Sequence, residues 1–221
     1  MPRPKRVVIA GIPHHVIQRG NNGAEIFKKA KDYDTYLGLL CKFLNETACD
    51  LLAYALIPNH VHLLVRPPDE AAFIKLMRKL GVTYALYFQT TYQVTGHVFE
   101  SRFKSFPVEE GDYLWEVVRY IDQNPQKAGL AKSPQGYSFS SAAAHIAGET
   151  DGITTHLPFD KEQTKAFAEY LAQPGSKKEM KQIIESIRRN KPFGSAGFLA
   201  ASASKFGLKY RKARGRFSPH A

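Results

Sequence analysis

Cysteine and acidic side chains are scarce in this 221-residue chain. Its two cysteines, Cys41 and Cys49, lie eight residues apart within and just past one helical stretch, which leaves no disulfide framework to staple a small fold. Free thiols behaving as small buried hydrophobes suit a reducing cytoplasm. No apolar run is long enough to cross a bilayer. The short one in MPRPKRVVIAGIPHH is broken too early, by Pro13 and two histidines, to act as a secretory signal. Nor does any segment repeat. What remains is a cytoplasmic globular chain, 43% hydrophobic, able to bury one good core with a small appendage.

The shortage of acid gives a formal net charge of +11, and the excess is unevenly placed. Residues 177–216 carry twelve Lys/Arg against two acids, Glu179 and Glu185, a net of +10, whereas the preceding 176 residues carry nineteen basic and eighteen acidic groups. A near-neutral body with a basic C-terminal segment points to a polyanion partner, in the cell a nucleoid-associated one.

Periodicity gives an element order. HHVIQRG (14–20) reads as a strand ending in the turn Gly20-Asn21-Asn22-Gly23. From Asp32, expected as N-cap, to about Ala48, Tyr33, Tyr36, Leu37, Leu40, Phe43 and Leu44 recur at helical spacing. Leu51–Ile57 and His60–Val65 form a hairpin around Pro58-Asn59. A long helix covers 70–90, and Arg102–Val108 alternates as a strand. Asp112 is expected to cap the next helix, and Asn124-Pro125 to end it. The order β-α-β-β-α-β, then α, predicts an α+β, ferredoxin-like antiparallel sheet with helices on one face. Little periodicity at 147–160 suggests a boundary, followed by helices over Gln163–Ala172 and Lys178–Arg189 and a basic, disordered tail at 209–221.

The chemistry concentrates in LIPNHVHLLV and LWEVVRYIDQNP. On a strand, His60 and His62 share one face. On a helix, Tyr120 and Asn124 share another through i,i+4 spacing. Two imidazoles and a carboxamide are able to hold a divalent ion such as Mn or, with waters and phosphate completing the site, Mg. A phenol beside that ion could attack a phosphodiester whose negative charge the ion offsets. Each residue also has a bland reading: histidines bonded in a core, a core tyrosine, an ordinary helix-ending asparagine. Tyr113, one heptad upstream, competes with Tyr120 as nucleophile, and spacing does not choose between them. A hydrolytic zinc site is disfavoured because no carboxylate-plus-His set completes it.

The stretches PRPKRVVIAGIPHHVIQRGNN, AYALIPNHVHLLVRP, MRKLGVTYALYFQ, GHVFESRFKSFPV, YLWEVVRYIDQNPQKAGL and YSFSS resemble, in order, the single-tyrosine HUH transposases, in particular the REP-associated tyrosine transposases of bacteria. The resemblance covers most of residues 1–146, the expected catalytic domain, with 147–208 as a helical extension. It implies that His60, His62 and Asn124 bind Mg or Mn and that Tyr120, rather than Tyr113, is the nucleophile. It further implies a metal-dependent single-strand endonuclease and strand transferase that forms a 5′-phosphotyrosine link on DNA bearing a REP-type hairpin. Two rivals keep the fold: a catalytically inactive hairpin-binding regulator of transposase descent, and a replication initiator or relaxase of the same HUH group. The extension resembles that of a monomeric branch, whereas shorter relatives are dimers with shared sites. Gln126 and Lys127 stand where a Val-Arg pair is common, and Trp115 is an unusual bulk; none of the three is expected to touch the catalytic set. Expected DNA contacts are Arg3, Lys5, Arg6, His15, Arg19, Arg102 and Lys104, with Lys209, Arg211, Lys212, Arg214 and Arg216 in the tail. Truncation after about residue 176 is expected to weaken hairpin binding and leave the metal site intact.

Overall fold

In the computed structural model the described residues are 6–149, 151–154 and 161–206. Arg3, Lys5 and the tail positions Lys209, Arg211, Lys212, Arg214 and Arg216 lie outside them. The chain runs through β1 (His14–Arg19), α1 (Ala30–Thr47), β2 (Asp50–Ile57), β3 (His60–Arg66), α2 (Glu70–Tyr92) and β4 (Lys104–Pro107). It continues through α3 (Asp112–Asp122), the single turn α4 (Asn124–Lys127), α5 (Ala142–Ala147), α6 (Lys161–Ala172), α7 (Lys177–Arg189) and α8 (Ala196–Phe206). The sheet order is β2-β3-β1-β4 with every pairing antiparallel, which is the ferredoxin-like arrangement. Strand β4 is shorter than the alternation suggested, and α8 has no forerunner in the sequence reading.

Local chemistry moved several boundaries. Asp32 is not the N-cap of α1; it sits one turn inside, and its carboxylate accepts the backbone N–H of Lys28 at 2.7 Å and of Lys29 at 2.9 Å. It also accepts the phenol O–H of Tyr87 and Tyr92, tying α1 to α2. Gly111, at φ 78°, precedes α3, so Asp112 is the first helical residue rather than the cap. Pro125 does not end the helical path. Gln123 stays in the right-handed region and Asn124 opens another turn, closed by N–H donation from Ala128 to the Asn124 carbonyl at 2.9 Å. Proline is tolerated there because early helical positions need no N–H partner.

Helices cover both faces of the sheet, not one. Val16, Leu56, Val61, Leu63 and Val65 pack against α1 and α2. Ile17, Ala53, Ala55, Leu64 and Phe106 pack on the other side with Val117 and Ile121 of α3, Phe167 of α6, and Ile183 and Ile187 of α7. Strands buried on both faces are apolar throughout instead of alternating, which is why β2 reads DLLAYALI. A bulge in β2 leaves Leu52 out of register between Leu51 and Ala53 and turns both Leu52 and Ala53 toward the α3 side.

Both sheet edges are covered. Residues 137–141 lie along β2, with Leu56 N–H donating to the Phe139 carbonyl at 2.9 Å. Along β4, Ser105 N–H donates to Asn190 Oδ1 at 3.1 Å and Phe193 N–H to the Pro107 carbonyl at 2.9 Å. The C-terminal segment thus completes the fold by removing an open strand edge.

Candidate functional site

Alternation along β3 sends Val61 into the α1/α2 core and turns His60 and His62 toward α3. Their ring centroids are 4.9 Å apart. His60 Nδ1 lies 2.6 Å from the Asn59 side-chain oxygen. That oxygen only accepts, so Nδ1 carries the proton and Nε2 is the nitrogen suited to a metal. His62 is buried and its Nδ1 lies 3.0 Å from His15 Nε2. Burial pushes the His15 pKa down to about 3, so that ring is neutral.

Tyr120 stands edge-on to this group, its ring centroid 5.7 Å from that of His62 and 5.8 Å from that of His15. The phenol is buried and, among the described residues, has no hydrogen-bond partner. Burial pushes its pKa up to about 12, partly offset by the nearby Asn124 carboxamide, which is not in hydrogen-bond geometry with it. Asn124 is buried, and its amide nitrogen makes a long 3.5 Å contact to the Tyr120 carbonyl. Together with His60, Asn59, Glu25 and Lys127 it lines a cleft of about 440 Å³. Among the described residues no three His, Cys, Asp or Glu side chains form a metal-binding group. The donor set on offer is therefore two imidazoles and one carboxamide. That fits an ion that accepts mixed N/O donors and fills its remaining positions with water or phosphate oxygen, and does not fit a closed structural zinc site.

Tyr113 is elsewhere. Two helical turns from Tyr120, it packs edge-on against Phe193, with centroids 5.3 Å apart, at the seam between α3 and the C-terminal segment. The geometry brings Tyr120, not Tyr113, to the histidines.

Lys127 does touch the site, contrary to expectation. Its ammonium lies 5.7 Å from the Tyr120 ring centroid and lines the cleft beside His60 and Asn124. Burial, reinforced by Arg119, lowers its pKa to about 8 against the opposing pull of Glu179. Trp115 is accounted for by packing: its ring stands edge-on to Phe167 and Tyr170 of α6. Arg119 lies over the Tyr170 ring at 3.7 Å and is ion-paired with Glu179, which also caps α7 through Ser176. The extension therefore grips the helix that carries Tyr120.

Arg19 pairs with His60 in register, on the same face, and its guanidinium rests over Gly23, where a Cβ would come within 3.1 Å. Lys104 is on this face too; burial and Arg19 lower its pKa, against the pull of Glu100. Arg6 covers the Phe103 ring at 3.7 Å. With Arg102, Lys104 and Asn190 it lines a second cleft, of about 270 Å³, at the β4 edge.

Sequence reasoning missed a buried cluster behind the tyrosine. The Asp122 carboxylate accepts from Ser141 Oγ at 2.8 Å and from His145 Nδ1 at 2.6 Å, and His145 Nε2 reaches the Leu52 carbonyl at 2.9 Å. Both ring nitrogens face acceptors, so both carry protons and His145 is an imidazolium. Burial lowers its pKa, but the Asp122 charge and hydrogen bond and the Leu52 carbonyl outweigh that and raise it. No spacing rule links residues 52, 122, 141 and 145, so only the fold could reveal the cluster.

A sequence profile for the family described as "Transposase IS200 like" matches residues 9–124. No curated protein matches the chain. Among solved structures, it resembles a REP-associated tyrosine transposase bound to a REP hairpin. That likeness has 17% identity and a TM-score of 0.54, over 72% of this chain and 94% of the other. A crystal structure of a transposase candidate from Deinococcus radiodurans is 15% identical, with a TM-score of 0.37, over 55% of this chain and 97% of that one.

Proposed function

Because the chain belongs to the IS200-like transposase family, we propose that it is a metal-dependent single-strand DNA endonuclease and strand transferase that uses Tyr120 as nucleophile. The observation that carries this reading is the Tyr120 ring edge-on at 5.7 Å from His62, with His60 and Asn124 walling one cleft beside it. His60, His62 and Asn124 would hold Mg or Mn. When bound, that cation would draw charge from a non-bridging phosphate oxygen and orient the phosphorus.

The chain's own residues account for the remaining requirements. Tyr120 Oη attacks phosphorus in line with the 3′ oxygen of the preceding nucleotide. The Oη–P bond forms, the P–O3′ bond breaks, and the phenol proton is balanced by the proton gained at the departing 3′ oxygen. The product is a 5′-phosphotyrosine and a free 3′-OH. Because the phosphodiester bond energy is kept, attack by a 3′-OH reverses the step and joins strands. Burial pushes the phenol pKa up to about 12, so Tyr120 enters the reaction protonated. The Lys127 ammonium near that ring favours the developing phenolate charge. Arg19 and Lys104 on the same sheet face, and Arg6 and Arg102 beside them, suit a strand's phosphates and give binding its salt dependence. The hairpin substrate is proposed as REP-type, since a protein sharing this fold is bound to a REP hairpin.

The test is a labelled single-stranded oligonucleotide bearing such a hairpin, mixed with the protein and Mg or Mn. A denaturation-resistant adduct is expected with the wild type, and none with Tyr120→Phe, while hairpin binding persists. An adduct that survives Tyr120→Phe would refute the nucleophile assignment.

A further inference from the structure

We propose that His15 is a positioning residue whose Nε2 accepts the Nδ1 proton of His62 and so presents His62 Nε2 to the metal. This rests on His62 being a ligand. His15 lies on β1 between β3 and β4, opposite Leu64 and Phe106 in register, with its side chain on the α3 side of the sheet. It is fully buried. Its ring stacks on His62 at 5.2 Å and stands edge-on to Phe106 at 5.1 Å and to Tyr120 at 5.8 Å.

The neighbouring histidine gives the contrast. His14, on the opposite face, has both nitrogens bonded to backbone: Nδ1 to the Ile12 carbonyl at 2.7 Å and Nε2 to the Ile9 N–H at 3.2 Å. It is a satisfied core histidine. His15 directs its one side-chain hydrogen bond to His62, and among the described residues its Nδ1 has no partner. An unpartnered buried nitrogen costs stability. A buried histidine that leaves one nitrogen unpartnered and turns the other to His62 points to a task at that second nitrogen.

That task follows from the tautomers. Across the 3.0 Å contact one ring donates and the other accepts. If His15 donates, His62 carries its own proton on Nε2 and cannot ligate through it. If His62 donates, its Nε2 carries a lone pair able to ligate. Metal-bound histidines are held in this way through their other ring nitrogen, and removing such a partner typically lowers metal affinity about 10–100-fold. His60 has the equivalent arrangement, with Asn59 as acceptor.

Mn²⁺ binding to the full chain, followed by the free-ion electron paramagnetic resonance signal, tests this without any turnover. Wild type should bind and His62→Ala should lose binding. His15→Phe and His15→Met, which have no acceptor nitrogen, should weaken binding about 10–100-fold. His15→Gln, whose amide oxygen can accept, should recover most of it. Circular dichroism identifies any variant that fails to fold, and Met carries the test if Phe does not fit. If His62→Ala abolishes binding while His15→Phe and His15→Met bind like wild type, the positioning role is overturned and the metal site stands. If wild type does not bind, or His62→Ala binds equally well, the metal reading fails and the role falls with it.

Discussion

Replacing Asp122 by Ala should be among the most damaging single changes in the chain, although Asp122 faces away from the proposed chemistry. Two residues past Tyr120, it lies about 200° around α3 from it. Asp122 and His145 are both fully buried, with Nδ1 and the carboxylate 2.6 Å apart. Breaking a buried pair leaves the partner without compensation and costs about 3–5 kcal/mol. That is a large share of the 5–15 kcal/mol that typically separates folded from unfolded chains. The effect depends on pH with a definite sign. The folded-state pKa of His145 is raised, so the pair's stabilisation is fully present below the unfolded value near 6.5. It declines by about 1.4 kcal/mol per pH unit as pH rises toward the folded-state pKa. Guanidinium unfolding of wild type and Asp122→Ala at pH 6 and at pH 8.5 to 9 gives the comparison. The gap should be largest at pH 6 and smaller at high pH. A gap under about 1 kcal/mol at pH 6, or one that widens with pH, would refute a charged His145.

Two further outcomes follow from the same geometry. Lys127→Met should slow adduct formation by about 10²-fold with hairpin binding largely retained, and Lys127→Arg should keep most of the rate; equal rates in Met and wild type would remove Lys127 from the chemistry. Truncation after residue 176 should do more than weaken DNA binding, because it strips Ile183, Ile187 and Phe193 from the core shared with α3. At about 1.5–3 kcal/mol for each of the three the loss rivals the whole stability, so the truncated chain should show no cooperative thermal transition; a wild-type melting curve would contradict this packing.

Much of the fold was readable because its signals are local. The alternation in HVH, the two-residue Pro58-Asn59 turn and the helical stripes of α1 and α2 each lie within a few residues of one another. From them came the βαββαβ order, whereas the choice of Tyr120 over Tyr113 as the partner of His60, His62 and Asn124 came from the family resemblance. The second helical layer was harder. Its best signal was present, since DLLAYALI is too continuously apolar for a half-exposed strand, but it was read only as a strand. Lys127 could have been found from i,i+7 spacing with Tyr120, the same spacing that nominated Tyr113. Spacing along a helix fixes the angle but not the height, and only the position of the histidines decides which turn matters.

The helix that carries Tyr120 shows why the rest required three dimensions. Val117 and Ile121 face the sheet, Trp115 and Arg119 face α6 and α7, Asp122 faces α5, and Tyr120 faces the histidines. Each direction is closed by a partner distant in sequence: Phe106, Phe167 and Tyr170, Glu179, His145, His62. Amphipathic periodicity reveals the first of these faces, because it repeats. The other three depend on one or two residues each and on where the chain returns. With four sides held, α3 has little freedom to tilt, and the buried Tyr120 ring keeps its edge toward His62 before any DNA arrives. Preorganisation of that kind is what a weak phenol nucleophile needs, since correct alignment can supply about 7–11 kcal/mol of a barrier that ionisation alone does not lower. A substitution in the α3–α7 seam, far from the phosphate, should therefore register in the rate of adduct formation before it registers in hairpin affinity.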